Sequence, residues 1–400
     1  MKIRSITLFA ELRYPWENKE LAGLGEFAQS ARAAFTRAGL EVQTLRLALQ
    51  ALPRGGDLVT LGTSLEPLAQ EAGFGYTSLG PLPRSHLKRL PDLLEATESI
   101  FGCAHLVESE SGTIDGALVH ACARVMRKAA AIEEGFGNLR FAALANVGPG
   151  VPFFPAAYHR GGPPTFAVAT QAADLAVEAC RGAQDARDAH KRLTAAIERE
   201  ATRITDVALQ LNKESGPQGI PAFGGIDFSL APFPTPEASI GAALEALTGQ
   251  PLGAPGTLAA AATLTSAIDA ARFAHTGFCG LMLPVLEDPV LGQRSAEGRL
   301  QLGELLQWSA VCGTGLDTVP LPGDASEEAL AQILFDVAAL AVRLRKPLTA
   351  RLMPLPGKAA GDPVHFDFAY FADGGVLALE TAEGAGLLSK TTRLHLEPRM

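Results

Sequence analysis

Charge is scarce in this 400-residue chain: 19% of its side chains are charged against 47% hydrophobic, and only 6% are aromatic. A composition so poor in charge excludes an intrinsically disordered protein, because this much apolar material can bury a core. Cysteine is sparse as well. Cys103, Cys122, Cys180, Cys279 and Cys312 are odd in number, widely spaced and without a CxxC pair, which argues against a disulfide scaffold and a structural zinc site. A basic balance is missing too. The net charge of −9 does not suit a phosphate-backbone partner, so a small-molecule ligand is expected and nucleic acid is not. The apolar stretch at 6–10 is too short for a secretory signal. The uncharged stretch at 246–268 is interrupted by Pro251 and Pro255 and is rich in Ala and Thr, a poor membrane span. A soluble cytoplasmic protein without a membrane partner is expected, and a homo-oligomer is compatible with this composition.

What the chain does contain is a rhythm of strands and helices. Strand patterns fall at 3–9, 41–47, 57–62, 100–107, 140–146, 225–230, 280–286 and 348–353, with a short one ending at Cys312. Helical patterns fall at 21–38, 114–132, 171–213, 239–247, 257–274, 298–309 and 327–345. In the longest of these, Leu193, Ile197, Ala201, Ile204, Ala208 and Leu211 recur at helical spacing and turn one side to a core. Asp324 and Glu327 suit a capping box for the helix at 327–345. About ten strands alternating with helices, without a low-complexity linker, predict a single α/β domain over residues 1–400 built as one large sheet or barrel.

Standard signatures are absent: there is no HExxH, no GxGxxG after a strand and no GxSxG elbow. Gly384 to Thr391 spells GAGLLSKT, a poor phosphate loop because Ser389 replaces its second glycine. More informative is GIDFSLAP at 225–232, where alternation puts Ile226, Phe228 and Leu230 on one face and Asp227 with Ser229 on the other. A strand-borne carboxylate inside a barrel must be paired, hydrogen-bonded or bound to a cation. Asp227 is therefore a candidate catalytic residue and Ser229 a candidate substrate contact. The segment CGTGLDTVPLPGD at 312–324 reads as a shaped loop. Gly313, Thr314 and Gly315 would cradle an anion there, Asp317 would add a polar contact, and Cys312 would be presented as a reactive group.

Glu287 and Asp288 close a strand, where a barrel rim could place them as ligands for a divalent cation. The stiff segment NVGPGVPFFPAAYH at 146–159 would form a pocket wall, with His159 as proton carrier. Arg351 alternates away from Leu348, Ala350 and Leu352 and shares the opposite face with Thr349, so it could pair with Asp227 or hold a substrate carboxylate.

Together, NVGPGVPFFPAAYH, GIDFSLAPFPTPEASIG, GFCGLMLPVLED, VCGTGLDTVPLPGD and RKPLTARLMPLPGK resemble the bacterial and archaeal family called domain of unknown function 711, over 146–358. The initial KIRSITL also fits. The resemblance implies a ten-stranded α/β barrel like those of pyruvate formate-lyase and the ribonucleotide reductase large subunit, in which a loop cysteine abstracts hydrogen. Cys312 would take that role here. The glycyl-radical signature, however, is missing, since 388–400 contain no glycine. No glycyl radical is therefore expected. A radical-free barrel enzyme acting on a small polar or anionic metabolite is the leading expectation. The alternative is a non-catalytic metabolite-binding or regulatory protein, and some bacterial family members resemble it in being encoded beside an amino-acid-binding domain of the ACT type, a hint of amino-acid metabolism.

Overall fold

The structure is a computed structural model, describing residues 1–52, 55–108, 111–214, 221–380 and 386–398. Its centre is a nine-stranded sheet. The strands are β1 (Lys2–Ala10), β2 (Val42–Leu49), β3 (Tyr76–Pro81), β4 (Ile100–His105), β5 (Phe141–Ala145), β6 (Thr165–Gln171), β7 (Ala222–Asp227), β8 (Gly315–Pro322) and β9 (Leu348–Leu355). They lie in the order β8, β9, β5, β4, β3, β2, β1, β6, β7. All neighbours are parallel except β9 with β5 and β1 with β6. Parallel strands demand long crossovers, and helices supply them. Ile3, Ile6, Leu8, Leu45 and Leu47 are buried, as expected of strands with apolar layers against both faces.

Helix boundaries reflect local chemistry. Asp57, Asp115, Ser239 and Ser326 each accept a bond from a backbone N–H in the first turn of the helix they precede, satisfying donors that otherwise have no partner there. The longest helix, Ala186–Glu214, turns Leu193, Ile197, Ala201, Ile204, Ala208 and Leu211 inward.

Four expectations are corrected. Residues 57–62 are not a strand: Asp57 caps the helix Leu58–Glu71, whose buried Leu58, Leu61, Leu65 and Ala69 recur with helical period. The cap of the helix Glu327–Leu344 is Ser326 rather than Asp324. Cys312 does not end a strand; it ends the helix Leu302–Cys312, and the segment expected to be a loop is mostly strand β8. Finally, 280–286 form no strand, only isolated bridges from Leu281 to Leu230 and from Pro284 to Asp317. The regular sheet, nine strands among the described residues, is consequently not closed between β7 and β8, where the expected ten-stranded barrel would need a further strand. Of GAGLLSKT, Gly384 lies outside the described residues, and Leu388–Lys390 form a single 3-10 turn.

Four strand pairs of the sheet carry irregular registers, and two of these bear on the site. Against β6, β1 pairs Ile3 with Thr170 and Ser5 with Ala169, leaving Arg4 as an extra residue. Against β9, β8 pairs Leu316 with Ala350 and Val319 with Leu352, so one extra residue is taken up at Asp317–Thr318. Such bulges bend a strand and re-aim its side chains.

Candidate functional site

A cavity of about 90 Å³ lies among these strands. Its ionic wall is built around Arg351 on β9. The Arg351 Nε donates to Asp317 Oδ1 at 2.6 Å and its Nη2 to Glu287 Oε1 at 2.8 Å, while Arg4 pairs with the other oxygen of Glu287. Both bulges thus deliver a member of this network, Arg4 from β1 and Asp317 from β8. Next to Asp317 stands Thr318, a β-branched residue at φ 42° whose buried Oγ1 has no partner. Such a conformation is unfavourable for this side-chain type, and outliers of this kind concentrate where a site over-determines the backbone. Burial raises the Asp317 carboxyl above its ordinary range, with Arg351 opposing the shift.

Another part of the lining is aromatic and holds a cation that makes no ion pair among the described residues. Arg46 on β2 is 8% exposed. Its guanidinium lies 5.6 Å from the ring centre of Tyr76 and 5.2 Å from that of Phe154, a cation–π arrangement that shields it from water. Its Nε donates to Thr44 Oγ1 at 2.9 Å. Among the described residues no carboxylate reaches it as an ion pair. Burial accordingly lowers its pKa to about 9, with repulsion from Arg4 adding to the effect.

The segment at 146–159 supplies the pocket wall as expected, through Phe153, Phe154, Pro155 and Ala156. The Pro152 carbonyl accepts Ser5 and Thr7 hydroxyls and the Ala157 carbonyl accepts Ser78, so polar residues of β1 and β3 hold this segment against the sheet. His159 does not line the cavity; its backbone N–H donates to Leu49 and its Nδ1 has no partner.

Of the candidate catalytic, substrate-binding and metal residues, Thr314, Asp317, Arg351 and Glu287 meet at the cavity, and Asp227, Ser229, Asp288, Cys312, Gly313, Gly315 and His159 do not. Asp227 pairs with no arginine. Its carboxylate accepts Ser229 Oγ at 2.6 Å, the Phe278 amide at 2.7 Å and the Cys279 amide at 2.8 Å, and a Cβ on Gly277 would lie 2.1 Å from its Oδ2. Fully buried, its carboxyl is pushed up to about 6 by desolvation. Ser229 is occupied with Asp227 and with the Gly280 amide. Asp288 does not join Glu287 as a cation ligand: it caps the helix Pro289–Ala296, and its oxygens accept Val290 and Leu291 amides, Ser239 Oγ and the Ile240 and Gly241 amides. Both oxygens of Glu287 are bound by arginine. Among the described residues no group of three or more His, Cys, Asp or Glu is gathered for a metal ion, so the divalent-cation expectation does not fit this donor set.

The Gly313–Gly315 turn is no open cradle either. Gly313 ends a helix in left-handed conformation and Gly315 packs so closely on Thr349 that a Cβ would lie 2.2 Å from its carbonyl oxygen. Cys312 is fully buried beside it, with its Sγ 4.0 Å from Thr314 Oγ1.

Fold and site together define an α/β protein with a buried, arginine-rich cavity. The chain belongs to the family described as Uncharacterised ACR (DUF711), whose profile matches residues 1–369. It is 34% identical to a UPF0210 protein of Pyrobaculum arsenaticum over 354 residues, covering 83% of this chain and 78% of the relative. A UPF0210 protein of Methanopyrus kandleri is 32% identical over 76% of this chain and 70% of its own. One from Desulfovibrio desulfuricans is 31% identical over 80% and 75%. Among the described residues no helix is long and apolar enough to cross a membrane.

Proposed function

We propose that this protein is a radical-free α/β-barrel enzyme that binds and acts on a small anionic metabolite in the cavity between Arg46 and Arg351. The observation that carries the reading is Arg46, a buried cation that lines a cavity and has no carboxylate ion-pair partner among the described residues. Keeping such a charge out of water costs several kcal/mol unless something compensates it, and a bound oxyanion would do so with paired, charge-assisted hydrogen bonds. Asp317 supplies the acid/base group of this reading, since burial raises its carboxyl above the ordinary range while its ion pair with Arg351 opposes the shift.

In this reading residues 280–284 act as an irregular tenth member between β7 and β8, and the whole chain is one barrel domain of the kind found in pyruvate formate-lyase and the ribonucleotide reductase large subunit. Work in the cytoplasm suits five cysteines that are all free. A second reading, a non-catalytic metabolite receptor, is favoured by the cavity lining: it includes no His, Cys, Ser or Lys.

Calorimetric titration with formate, acetate, pyruvate and phosphate tests the anion site. At least one should bind the wild-type protein and lose tenfold or more in affinity with Arg46→Gln. Equal affinities in the two proteins would remove the basis of the reading. Product analysis by mass spectrometry after incubation with the bound anion then separates enzyme from receptor.

A further inference from the structure

Three guanidiniums, Arg4, Arg46 and Arg351, line the cavity against two carboxylates, Glu287 and Asp317. The excess of one positive charge suits a ligand carboxylate. Four of those five groups neutralise each other in the Arg4–Glu287–Arg351–Asp317 chain, so the surplus resides on Arg46. The two carboxylates differ in what they leave open. Both oxygens of Glu287 are engaged, whereas Asp317 uses only Oδ1, and its Oδ2 accepts no bond from any described residue while remaining accessible.

Strand order separates the two unsatisfied groups. Arg46 on β2 and Asp317 on β8 stand five places apart in the sheet, through β3, β4, β5 and β9, yet both line one cavity. That cavity therefore offers a donor fork on one wall and a lone acceptor on another. Water can meet that accessible acceptor when no ligand is bound, but a ligand that displaces the water must replace its hydrogen bond or lose that stabilisation. A carboxylate ligand alone would satisfy Arg46 and bring its own acceptors towards Asp317, leaving that demand unmet. The volume of about 90 Å³ is below the roughly 150 Å³ that holds a benzene ring, so acid and donor groups must sit within a handful of heavy atoms of each other.

Resting on the anion-site reading above, we infer that the ligand is a small carboxylic acid bearing a hydrogen-bond donor close to its carboxylate, a hydroxy acid or an amino acid, with its carboxylate on Arg46 and its donor on Asp317 Oδ2. The shared chemistry is the acid–donor pair. A hydroxyl would use the acceptor as a neutral donor, and an ammonium would use it as a charged one.

Three size-matched probes decide the matter: glycolate, glycine and propionate, which carry a hydroxyl, an ammonium and a methyl group at the same position. Calorimetry on the wild-type protein should show glycolate or glycine binding at least tenfold tighter than propionate, and which of the two binds identifies the donor. Asp317→Asn, which keeps an oxygen for Arg351 but turns an N–H₂ towards the ligand, should reduce that advantage to threefold or less. Propionate binding as tightly as both others overturns the inference. If propionate affinity then still collapses in Arg46→Gln, the anion site survives without the donor requirement; if it does not, both fall. Absence of binding by all three probes also overturns the inference, and the wild-type series decides even if Asp317→Asn does not fold.

Discussion

Two sets of carboxylates inside the fold, with one member of each adjacent in the chain at Glu287 and Asp288, meet opposite fates. Asp227 and Asp288 are fully buried without a cationic partner, and each is held by backbone amides and a serine hydroxyl. Glu287 and Asp317 pair directly with arginines on the wall of a cavity, and one of their oxygens is left open. The first arrangement is closed: amides and a serine hydroxyl occupy the carboxylate oxygens, and their effect is to pin the 276–280 segment to β7 and the helix Pro289–Ala296 to the helix Ile240–Thr248. The second is open, because its charges exceed what the protein itself can pair. Burial alone therefore does not mark a site in this fold. In the proposed reading the distinguishing feature is hydrogen-bonding capacity left open on the wall of a cavity.

The sharpest way to break this comparison is Arg351→Met. Two carboxylates would lose their shared partner, and removal of one member of a buried ion-pair network typically costs about 3–5 kcal/mol. Urea denaturation should register a loss of that order. A loss under about 1 kcal/mol would mean that Asp317 and Glu287 are solvated and the cavity is not the desolvated space described.

Asp288→Ala should cost somewhat less, about 2–4 kcal/mol, since it removes a helix cap and leaves buried amides at Ile240 and Gly241 without an acceptor. Ligand affinity of the folded fraction should not change. A variant of wild-type stability with altered affinity would place Asp288 in the site instead.

Asp227→Asn gives a smaller, pH-dependent effect. The folded carboxyl titrates at about 6, above the ordinary aspartate value near 3.9. Between those values the folded state keeps a proton that the unfolded chain has released. The contribution of this group to stability is thus greatest below about pH 4 and falls as pH rises through 6, by on the order of 3 kcal/mol. The asparagine lacks this titration. The stability difference between wild type and variant should change by that amount between pH 4 and 7, and a constant difference would contradict the assignment.

Parts of the site were legible in the sequence for identifiable reasons. Strand alternation put Thr349 and Arg351 on one face of β9, and both line the cavity. Asp317 stood out because it had no local capping role. Arg4 was not legible: it is the extra residue of a bulge, and strict alternation would group it with Ile6 and Leu8. Arg46 left a signal that went unused, a cation flanked by Leu45 and Leu47 in a strand with parallel neighbours on both sides, the same argument that singled out Asp227. The alternation at 225–230 correctly buried Asp227, but it could not reveal that residues 276–280 would satisfy the carboxylate from 50 positions away. The strands β3 and β6 escaped notice, and 280–286 resembled a strand although only isolated bridges form there. Irregular registers, invisible to periodicity, are where this fold departs from its pattern and where two members of its ionic network are placed.

Arg46 carries a charge the fold does not need, and the stability of Arg46→Met in buffer free of small carboxylates and phosphate tests this most directly. Methionine keeps the packing against Tyr76 and Phe154 and removes an unpaired buried charge. The variant is expected to unfold within about 1 kcal/mol of wild type or at higher denaturant, and an anion that stabilises the wild type should no longer stabilise the variant. A loss of about 3 kcal/mol or more without any anion present would show that Arg46 holds the structure together, and would contradict its role as a charge kept for a ligand.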